Sequence, residues 1–263
     1  MSTRAKEWVG VVTGKREAGG FHVLTLRLPA AFPNAPAGTF LMLSVGHEPE
    51  TLLRRPMAFY DIRKARRGTA VDILYAIVGK GTKEMTALKK GTPLSLLGPI
   101  GNHFSKPSAD EDVTVVAGGV GIAPFLLWGR QSTSAQRKRS RVLLGFRNRS
   151  QLPIAKDFRK VGVRPVCAVE GAGGDFRGTV VDLLEQELRN SKPDRILTCG
   201  PEIMMQRVCD AAMKKGIPVE LSLETKMGCG VGACLSCVTP YPKRDGTAGY
   251  ALACQDGPIF VTH

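Results

Sequence analysis

The sequence lacks any apolar run long enough to span a membrane, and its first residues lack the apolar core of a secretory signal peptide. Aromatic residues make up only 6% of the chain, and none interrupts its densest basic run, Arg137-Lys138-Arg139 with Arg141. Without an aromatic stacking surface beside those charges, nucleic-acid binding is disfavoured. The sequence shows neither a Ser/His/Asp set nor paired carboxylates, so it does not indicate a hydrolytic site. We therefore expect neither a membrane nor a nucleic-acid partner.

Composition indicates a folded, reduced and strongly basic chain. It has 263 residues, 43% of them hydrophobic, which is enough for two domains and a small module. The seven cysteines are an odd number in a chain without an export segment, so we expect a cytoplasmic protein. Most of the net charge of +14 belongs to a solvated surface, but it can also attract nucleotide phosphates or an acidic partner protein.

The most informative stretch is a glycine-rich segment with three closely spaced cysteines. Cys229, Cys234 and Cys237 form C-x4-C-x2-C, and Cys254 follows in A-C-Q-D-G-P. This order matches the plant-type ferredoxin spacing for a 2Fe–2S cluster, in which each iron binds two thiolates. Glycines between the cysteines let the backbone curl around a cluster and point N–H groups at the sulfurs. We therefore predict these four cysteines as ligands of a 2Fe–2S cluster.

Two other roles for the four cysteines need weighing. Structural zinc sites usually show two C-x2-C pairs, whereas this chain has one such pair with an overlapping C-x4-C. Disulfides need an oxidising compartment, to which nothing in the sequence points. The spacing favours the cluster over both alternatives, which the sequence alone leaves open.

The first third of the chain consists of short runs that alternate apolar and polar residues, with Gly and Pro between them. This pattern predicts a small antiparallel β-barrel in a domain spanning residues 1–105. The clearest runs are Trp8–Thr13, His22–Leu28, Phe40–Val45 and Ala70–Val78.

Two stretches interrupt the barrel pattern and suit a phosphate group. Arg55 precedes Pro56 at a predicted strand edge, where its planar guanidinium can bind phosphate. The run G-K-G-T at 79–82 begins a helical stretch to Leu88, and free N–H groups at a helix start favour an anion. Either feature alone is common on protein surfaces. Together they predict a site for the pyrophosphate of a flavin dinucleotide.

From Asp112 onward, apolar strands alternate with helical stretches, which predicts a doubly wound parallel sheet at residues 110–222. The predicted strands are Val113–Ala117, Arg141–Gly145, Arg164–Val169, Arg195–Cys199 and Pro218–Leu223. The main predicted helices are Val180–Arg189 and Glu202–Lys215. Residues 223–263 remain as a small C-terminal cluster module.

The first strand of this sheet leads into a glycine-rich turn. The run G-G-V-G-I-A-P at 118–124 resembles G-x-G-x-x-G but ends in Pro124, which suits the first turn of a helix. A strand, a glycine turn and a helix start can cradle a nucleotide pyrophosphate, although an ordinary tight turn has the same pattern. Cys199 ends the fourth strand, at the edge where ligands bind. It either lies near a nicotinamide or is a buried, inert thiol.

The motifs of the barrel, the nucleotide sheet and the cluster segment follow one another in a fixed order. They are R-P-x-x-F, G-K-G-T, G-P-I-G-N, G-G-V-G-I-A-P, G-F-R-N, C-G-P and the cysteine pattern with D-G-P-I-F. This order resembles the ferredoxin-reductase-like electron-transfer subunits of bacterial dihydroorotate dehydrogenase B, over nearly the whole chain. The cysteine motif with its terminal D-G-P-x-F is the most specific part.

The resemblance implies FAD in the barrel, NAD on the sheet and a C-terminal 2Fe–2S module. It implies a partner subunit that carries FMN and oxidises dihydroorotate to orotate in pyrimidine synthesis, within a heterotetramer of two copies of each subunit. Electrons would pass from FMN through the cluster and FAD to NAD+.

Carried over position by position, the resemblance assigns two sets of nucleotide-binding residues. The FAD set is Arg55, Pro56, Met57, Ala58, Gly79, Lys80, Gly81 and Thr82. The pyridine-nucleotide set is Gly119, Gly121 and Pro124, with Cys199 as the catalytic residue beside the nicotinamide. Ala58 stands where the family has Ser, which puts a side-chain hydrogen bond to the flavin in doubt. His103 stands where Gly is usual, and we expect a surface or packing role for it.

Other protein classes fit parts of the same pattern. Small subunits of NADPH–ferredoxin oxidoreductase, sulfide dehydrogenase and hydrogenase complexes share this architecture, whereas a non-catalytic zinc-binding protein would lack flavin and iron–sulfur colour. No acidic residue clearly marks a ribose 2′-OH, and Arg147 and Arg149 could favour a 2′-phosphate, so the choice between NAD and NADP stays open.

We expect the cluster segment to face the partner, with basic residues such as Lys226, Lys243 and Arg244 at its rim.

Overall fold

The computed structural model describes residues 5–46, 52–241 and 247–262, and these fall into two compact units. The first unit takes its described residues from Met1–Arg16, His22–His103 and Leu223–Ile259. The second takes them from Glu17–Phe21, Phe104–Ser222 and Phe260–His263. Residues of the cysteine segment thus belong to the same unit as the barrel strands. The boundaries of the three predicted domains stay a prediction.

Seven strands form the first sheet: β1 (Lys6–Ala18), β2 (Phe21–Leu28), β3 (Phe40–Leu43), β4 (Arg55–Ala58), β5 (Asp61–Lys64), β6 (Thr69–Ala76) and β7 (Pro93–Ile100). Their order is β4-β3-β7-β1-β2-β6-β5, and the β1–β7, β3–β7, β3–β4 and β5–β6 pairs are antiparallel. Strand β4, at one edge, also lies against β6, so the sheet curls. Helix α1 (Lys80–Ala87) follows β6. The predicted antiparallel, barrel-like class is confirmed.

Alternation along the strands explains why this sheet forms. In β7 the side chains of Leu94, Leu96 and Ile100 are buried, while Ser95 and Leu97 on the other face are more exposed. Successive side chains of a strand point to opposite faces, so this period of two puts one face on a core. The sequence pattern therefore sets which face of β7 packs inward.

The second sheet has the strand order β11-β10-β9-β8-β12-β13-β16. Its strands are β8 (Val113–Gly118), β9 (Ser140–Phe146), β10 (Val166–Val169), β11 (Phe176–Arg177), β12 (Arg195–Cys199), β13 (Val219–Ser222) and β16 (Ile259–Thr262). Its helices are α2 (Ala123–Gln131), α3 (Ser134–Arg139), α4 (Ala155–Lys160), α5 (Val180–Asn190) and α6 (Glu202–Met213). A two-stranded sheet, β14 (Val238–Pro240) with β15 (Tyr250–Leu252), completes the described strands.

Strand order in the second sheet confirms the predicted doubly wound topology. All pairs from β11 through β13 are parallel, and the chain moves outward from β8 in both directions. Right-handed crossovers then put helices on both faces and leave a ligand-binding edge at the carboxyl ends of β8 and β12. On one face Val116, Leu143 and Ile196 pack with apolar residues of α5 and α6.

The dense basic run has structural partners. The guanidinium of Arg137 donates to the carbonyl oxygens of Gly129 and Ser132, at the end of α2. Arg139 pairs with Asp112, and Arg141 with Glu187. None of the helices in the described ranges combines the length and apolarity that a membrane crossing requires.

Candidate cluster, flavin and nucleotide sites

Two of the four motif cysteines form a buried pair. The Sγ atoms of Cys237 and Cys254 lie 3.3 Å apart, and both side chains are almost fully buried. This separation is well beyond the roughly 2.05 Å of a disulfide bond, and both residues are free thiols. Two sulfurs so placed can bind one iron of a cluster.

The other two cysteines form a second pair on a tight, more exposed loop. The backbone N–H groups of Val231 and Cys234 both donate to the Sγ of Cys229, each at 3.4 Å. Gly230 and Gly232 adopt left-handed conformations, with φ of 74° and 79°, that L side chains rarely adopt. The predicted curled loop with N–H groups aimed at sulfur is confirmed.

Thiol acidity differs strongly between Cys234 in the exposed pair and Cys254 in the buried pair. Hydrogen bonding with Ser236, and then with Cys229, lowers the pKa of the exposed Cys234 thiol to about 6. Burial, with a further contribution from Cys237, raises the pKa of Cys254 to about 11. A ligating thiol must lose its proton, so Cys234 ionises more readily than Cys254.

The donor arrangement fits a two-iron cluster better than a single ion. Within the described ranges, no three His, Cys, Asp or Glu side chains group as ligands of one metal ion. The cysteines instead fall into two pairs, as a 2Fe–2S cluster requires. A mononuclear zinc site would bring all four thiolates around one centre.

The cysteine loop packs directly on the barrel. A Cβ added to Gly230 would lie 2.5 Å from Cγ of Met42 and 3.3 Å from Cδ1 of Ile100, so only glycine fits there. Met42 is in β3 and Ile100 ends β7. The exposed thiol pair is therefore held against β3, which pairs with β4, and against β7, which pairs with β3.

The two phosphate-binding stretches predicted on the barrel meet in space. A Cβ on Gly81 would lie 2.4 Å from Nε of Arg55, so the guanidinium lies directly on the backbone of α1. Arg55 also donates from Nη1 to the carbonyl oxygen of Leu53 at 2.6 Å. The Thr82 hydroxyl accepts from the N–H groups of Val78 and Gly79, at 2.9 and 3.1 Å. A fixed cation thus lies beside a glycine helix start, an arrangement that fits a pyrophosphate.

Other residues of the predicted FAD set flank this point. Strand β4 is an edge strand whose four residues are all half-buried, with Pro56 opposite Met42 and Ala58 opposite Phe40. Proline is tolerated there because an edge strand has unpaired N–H groups. Gly79 has open space around it, and Lys80 is exposed. His103 is exposed as well.

In the second unit the turn after β8 abuts the turn after β12. Gly119 has a φ of 58° and open space at its Cβ position, whereas a Cβ on Gly121 would lie 2.4 Å from the Cys199 carbonyl oxygen. Pro124 is buried in the first turn of α2. The Cys199 side chain is only 4% exposed. The predicted pyridine-nucleotide residues therefore converge at the carboxyl ends of β8 and β12.

Sequence reasoning missed an acidic residue at this edge. Glu170 directly follows β10, and its N–H donates to the Phe146 carbonyl oxygen of β9 at 3.1 Å. Its side chain is exposed, with no hydrogen-bond or ion-pair partner among the described residues. Arg149 lies over Gly173 in the same edge region, 3.2 Å from its Cβ position. The sequence did carry a signal for Glu170, because it directly follows the third predicted parallel strand. Parallel strands of one sheet end at the same edge, so that position lies at the ligand-binding edge.

Comparisons with known proteins agree with this geometry. Residues 224–263 match the iron–sulfur cluster binding domain of dihydroorotate dehydrogenase B, and residues 115–210 match the oxidoreductase NAD-binding domain. The solved structure of an NADH-dependent reduced ferredoxin–NADP oxidoreductase, described in terms of flavin-based electron bifurcation, is 26% identical, with a TM-score of 0.79 over 96% of this chain and 87% of that one. A Neisseria gonorrhoeae ferredoxin NADP+ reductase with bound FAD and NADP shares the fold, at 17% identity and a TM-score of 0.63 over 81% of this chain and 92% of that one.

Two curated relatives carry the same description. The dihydroorotate dehydrogenase B (NAD(+)) electron transfer subunit of Desulforamulus reducens is 33% identical, covering 86% of this chain and 85% of the relative. The protein with the same description from Caldanaerobacter subterraneus is 31% identical, covering 95% of this chain and 94% of the relative. With its paired cysteines, its barrel and its nucleotide sheet, the chain belongs to the family of dihydroorotate dehydrogenase B electron transfer subunits.

Proposed function

We propose that this chain carries electrons from an FMN-bearing dihydroorotate dehydrogenase subunit to NAD+, through a 2Fe–2S cluster and FAD. The observation that carries the proposal is the pairing of the cysteines. Cys237 with Cys254, and Cys229 with Cys234, present two dithiolate pairs on a loop packed against the barrel. That barrel also carries the Arg55–Gly81 contact, so one compact unit holds the residues for both redox groups.

Each residue set has a defined task. The thiolates of the two pairs supply negative charge and direct ligation to iron. The Arg55 guanidinium and the backbone of α1 neutralise and orient a pyrophosphate, which anchors the flavin nucleotide at β4. When bound, FAD exchanges electrons both singly and in pairs, so it can link a one-electron cluster to a two-electron nucleotide.

At the nucleotide sheet, Gly119, Gly121 and Pro124 would hold the pyrophosphate of NAD, and Cys199 would lie at the nicotinamide end. Glu170 would accept a hydrogen bond from the adenosine ribose 2′-OH. A carboxylate at that point also repels a 2′-phosphate. This supports NAD over NADP as the acceptor, despite Arg147 and Arg149 nearby.

An exposed apolar surface beside the cysteine loop suits a partner subunit. In the β14–β15 register Val238 faces Leu252 and Pro240 faces Tyr250, so these four side chains share one face. Val238 is 51% exposed and Tyr250 80%. Leu235, between Cys234 and Ser236, is 60% exposed and adopts a φ of 58°, which is rare outside glycine.

We propose that the FMN-bearing subunit covers this surface and brings its flavin close to the cluster. Among the described residues, this surface has exposed apolar side chains, and Lys226 is exposed as well. Lys243 and Arg244 lie outside the described residues. The complex would be a cytoplasmic heterotetramer of two copies of each subunit.

The overall reaction balances over the two subunits. Dihydroorotate loses two electrons and two protons to become orotate, in pyrimidine synthesis. NAD+ takes up the two electrons and one proton as a hydride, and the other proton is released to water. The sequence indicates no third pocket with a base for the substrate proton, so we assign that step to the partner.

Anaerobic titration of the purified chain with NADH tests the proposal without the partner. We expect the flavin absorption to bleach and the electron paramagnetic resonance signal of a reduced 2Fe–2S cluster to appear. Iron without acid-labile sulfide, or a flavin that NADH cannot reduce, would contradict the proposed electron path.

A second candidate function is supported by the similarity to the reduced ferredoxin–NADP oxidoreductase structure over 96% of this chain. In that case the cluster would exchange electrons with another flavoprotein and not with a dihydroorotate dehydrogenase. A strong preference for NADPH, or co-purification with a larger flavoprotein of a different activity, would favour this candidate.

A further inference from the structure

Two sequence motifs without a role in the electron path meet in the first unit: G-P-I-G-N at the end of β7 and D-G-P-I after Cys254. The Nδ2 of Asn102 donates to the carbonyl oxygens of Asp256 and Ile259, at 2.9 and 2.8 Å. Its Oδ1 accepts from the Ile259 N–H at 2.8 Å. Its own N–H donates to the Gly257 carbonyl oxygen at 2.7 Å. One residue thus satisfies backbone groups along the whole motif.

The two backbones also approach closely beside Asn102. Gly101 adopts a φ of 83°, and a Cβ there would lie 2.5 Å from Cδ of Pro258 and 2.8 Å from the Gly257 carbonyl oxygen. No larger residue fits without moving one of the two segments. The segment after Cys254 is therefore fixed to the end of β7 by both contact and hydrogen bonds.

This fixed segment continues directly into the turn that carries Cys254. The Asp256 carboxylate accepts from the Leu252 N–H at 2.7 Å, and the N–H groups of Gln255 and Asp256 donate to the Leu252 carbonyl oxygen at 2.9 and 2.8 Å. Across the turn, the Ala253 N–H donates to the Cys237 carbonyl oxygen at 3.1 Å. The position of the buried thiol thus depends on a turn held at one end by Asn102.

We propose that Asn102 is a positioning residue for the iron–sulfur cluster: it holds the Cys254 turn so that this thiol stays paired with Cys237. The inference rests on the proposed function, because it assumes that Cys254 is a ligand. An amide is needed because the side chain donates to two carbonyls and accepts from one N–H. An aspartate of the same shape would place a carboxylate oxygen against those carbonyls.

The test compares the full-length wild type with Asn102→Asp, Asn102→Ala and the control Asn34→Asp, whose side chain is exposed in the same unit. Three properties are measured on the purified proteins. They are the rate of iron release to a ferrous chelator, the paramagnetic resonance spectrum of the reduced cluster, and the flavin content.

We expect Asn102→Asp to release iron about 10-fold faster than wild type, the size of effect typical for groups that orient metal ligands. Its cluster spectrum should shift while the flavin content stays at the wild-type value. In Asn102→Ala the iron-release rate and the cluster spectrum should change in the same direction but by less. This variant keeps the test valid if the aspartate variant does not fold. Asn34→Asp should match wild type.

Two results would overturn the inference. One is an unchanged iron-release rate and spectrum in both Asn102 variants. The other is equal loss of flavin and cluster, which would make Asn102 a general stabiliser of the unit. A wild-type chain without iron and sulfide would instead defeat the proposed function itself, and this inference with it.

Discussion

The Sγ atoms of Cys237 and Cys254 lie 3.3 Å apart although 17 positions separate the two residues in the chain. Both are buried, and the β14–β15 pair lies between them in sequence. Closing a loop of that length costs conformational entropy. The β14–β15 pairing and the Asn102 hydrogen bonds offset that entropy cost, so one half of the cluster site is preformed.

Substitution of one thiol in this pair should remove the cluster selectively. We expect Cys254→Ser to lose most of its iron and acid-labile sulfide but to keep its flavin, because Arg55 and Gly81 are untouched. Metal analysis and the visible spectrum measure both. As a control, Cys209→Ser changes a buried thiol of α6 in the other unit and should keep the cluster. Full iron and sulfide in Cys254→Ser would contradict the ligand assignment.

Displacing the Arg55 guanidinium should weaken flavin binding. Gly81→Ala puts a methyl group 2.4 Å from Nε of Arg55, so the arginine must move. Loss of a charge-assisted hydrogen bond of about 1.5–3 kcal/mol corresponds to roughly 10-fold to 100-fold weaker binding. Fluorescence titration of the flavin-free chain with FAD measures this.

The matched control for Gly81 is Gly14→Ala in β1. There the added Cβ meets the Thr25 Cβ at 3.8 Å, an ordinary contact, so FAD affinity should stay at the wild-type value. Equal affinity in Gly81→Ala and wild type would show that Arg55 does not bind the flavin nucleotide.

Sequence patterns predicted local features of the site well because those features depend on nearby residues. The curled glycine loop between the cysteines and the glycine start of α1 were both predicted. Strand positions were also close: predicted Arg195–Cys199 matches β12, and predicted Arg164–Val169 contains β10. Periodicity within a strand or helix encodes these features directly.

Long-range partners were not predicted because they depend on how the chain folds back on itself. Nothing near Asn102 in sequence indicates bonds to Asp256 and Ile259, and β16 joins the second sheet beside β13 from the far end of the chain. Glu170 was missed because it stands after the third strand, and a search at fixed spacing from the glycine turn passes over it.

Glu170 should discriminate against a 2′-phosphate. Adenosine 5′-monophosphate and 2′,5′-ADP differ only by that phosphate, so their affinities report on this position without any need for redox activity. We expect Glu170→Gln to bind 2′,5′-ADP about 10-fold tighter than wild type does, or ~1.4 kcal/mol, because a like charge is removed. Binding of the 5′-monophosphate should weaken slightly.

Glu185→Gln is the control for this measurement, since it removes an exposed carboxylate from α5 with the same change in net charge. Calorimetry gives both affinities. If Glu185→Gln tightens 2′,5′-ADP binding as much as Glu170→Gln does, the effect reflects net charge and not the site.

The start of α5 should make stability depend on pH. The Thr179 hydroxyl accepts from the Asp182 N–H at 3.1 Å and donates to its carboxylate at 2.7 Å. The hydrogen bonds that the hydroxyl and then the backbone N–H of Thr179 donate to the carboxylate lower the pKa of Asp182. A depressed carboxylate pKa stabilises the fold above the unfolded pKa of about 3.9, and this contribution is lost as pH falls through the lower folded pKa.

Thr179→Ala should therefore cost about 1 kcal/mol of unfolding free energy at neutral pH, the usual effect of losing an N-cap. The difference from wild type should shrink in acid, where Asp182 is protonated in both proteins. Urea unfolding of the two proteins at neutral and acid pH tests this. A difference that grows on acidification would have the wrong sign.

The measurement that tests the central claim most directly is NAD+ reduction by dihydroorotate, assayed with the isolated chain and with the chain reconstituted with an FMN-bearing dihydroorotate dehydrogenase from the same organism. We expect no NADH from the isolated chain. We expect steady NADH formation from the pair, and its loss when Cys254→Ser replaces the wild type. NADH formation by the isolated chain, or a pair that neither assembles nor reduces NAD+, would contradict it.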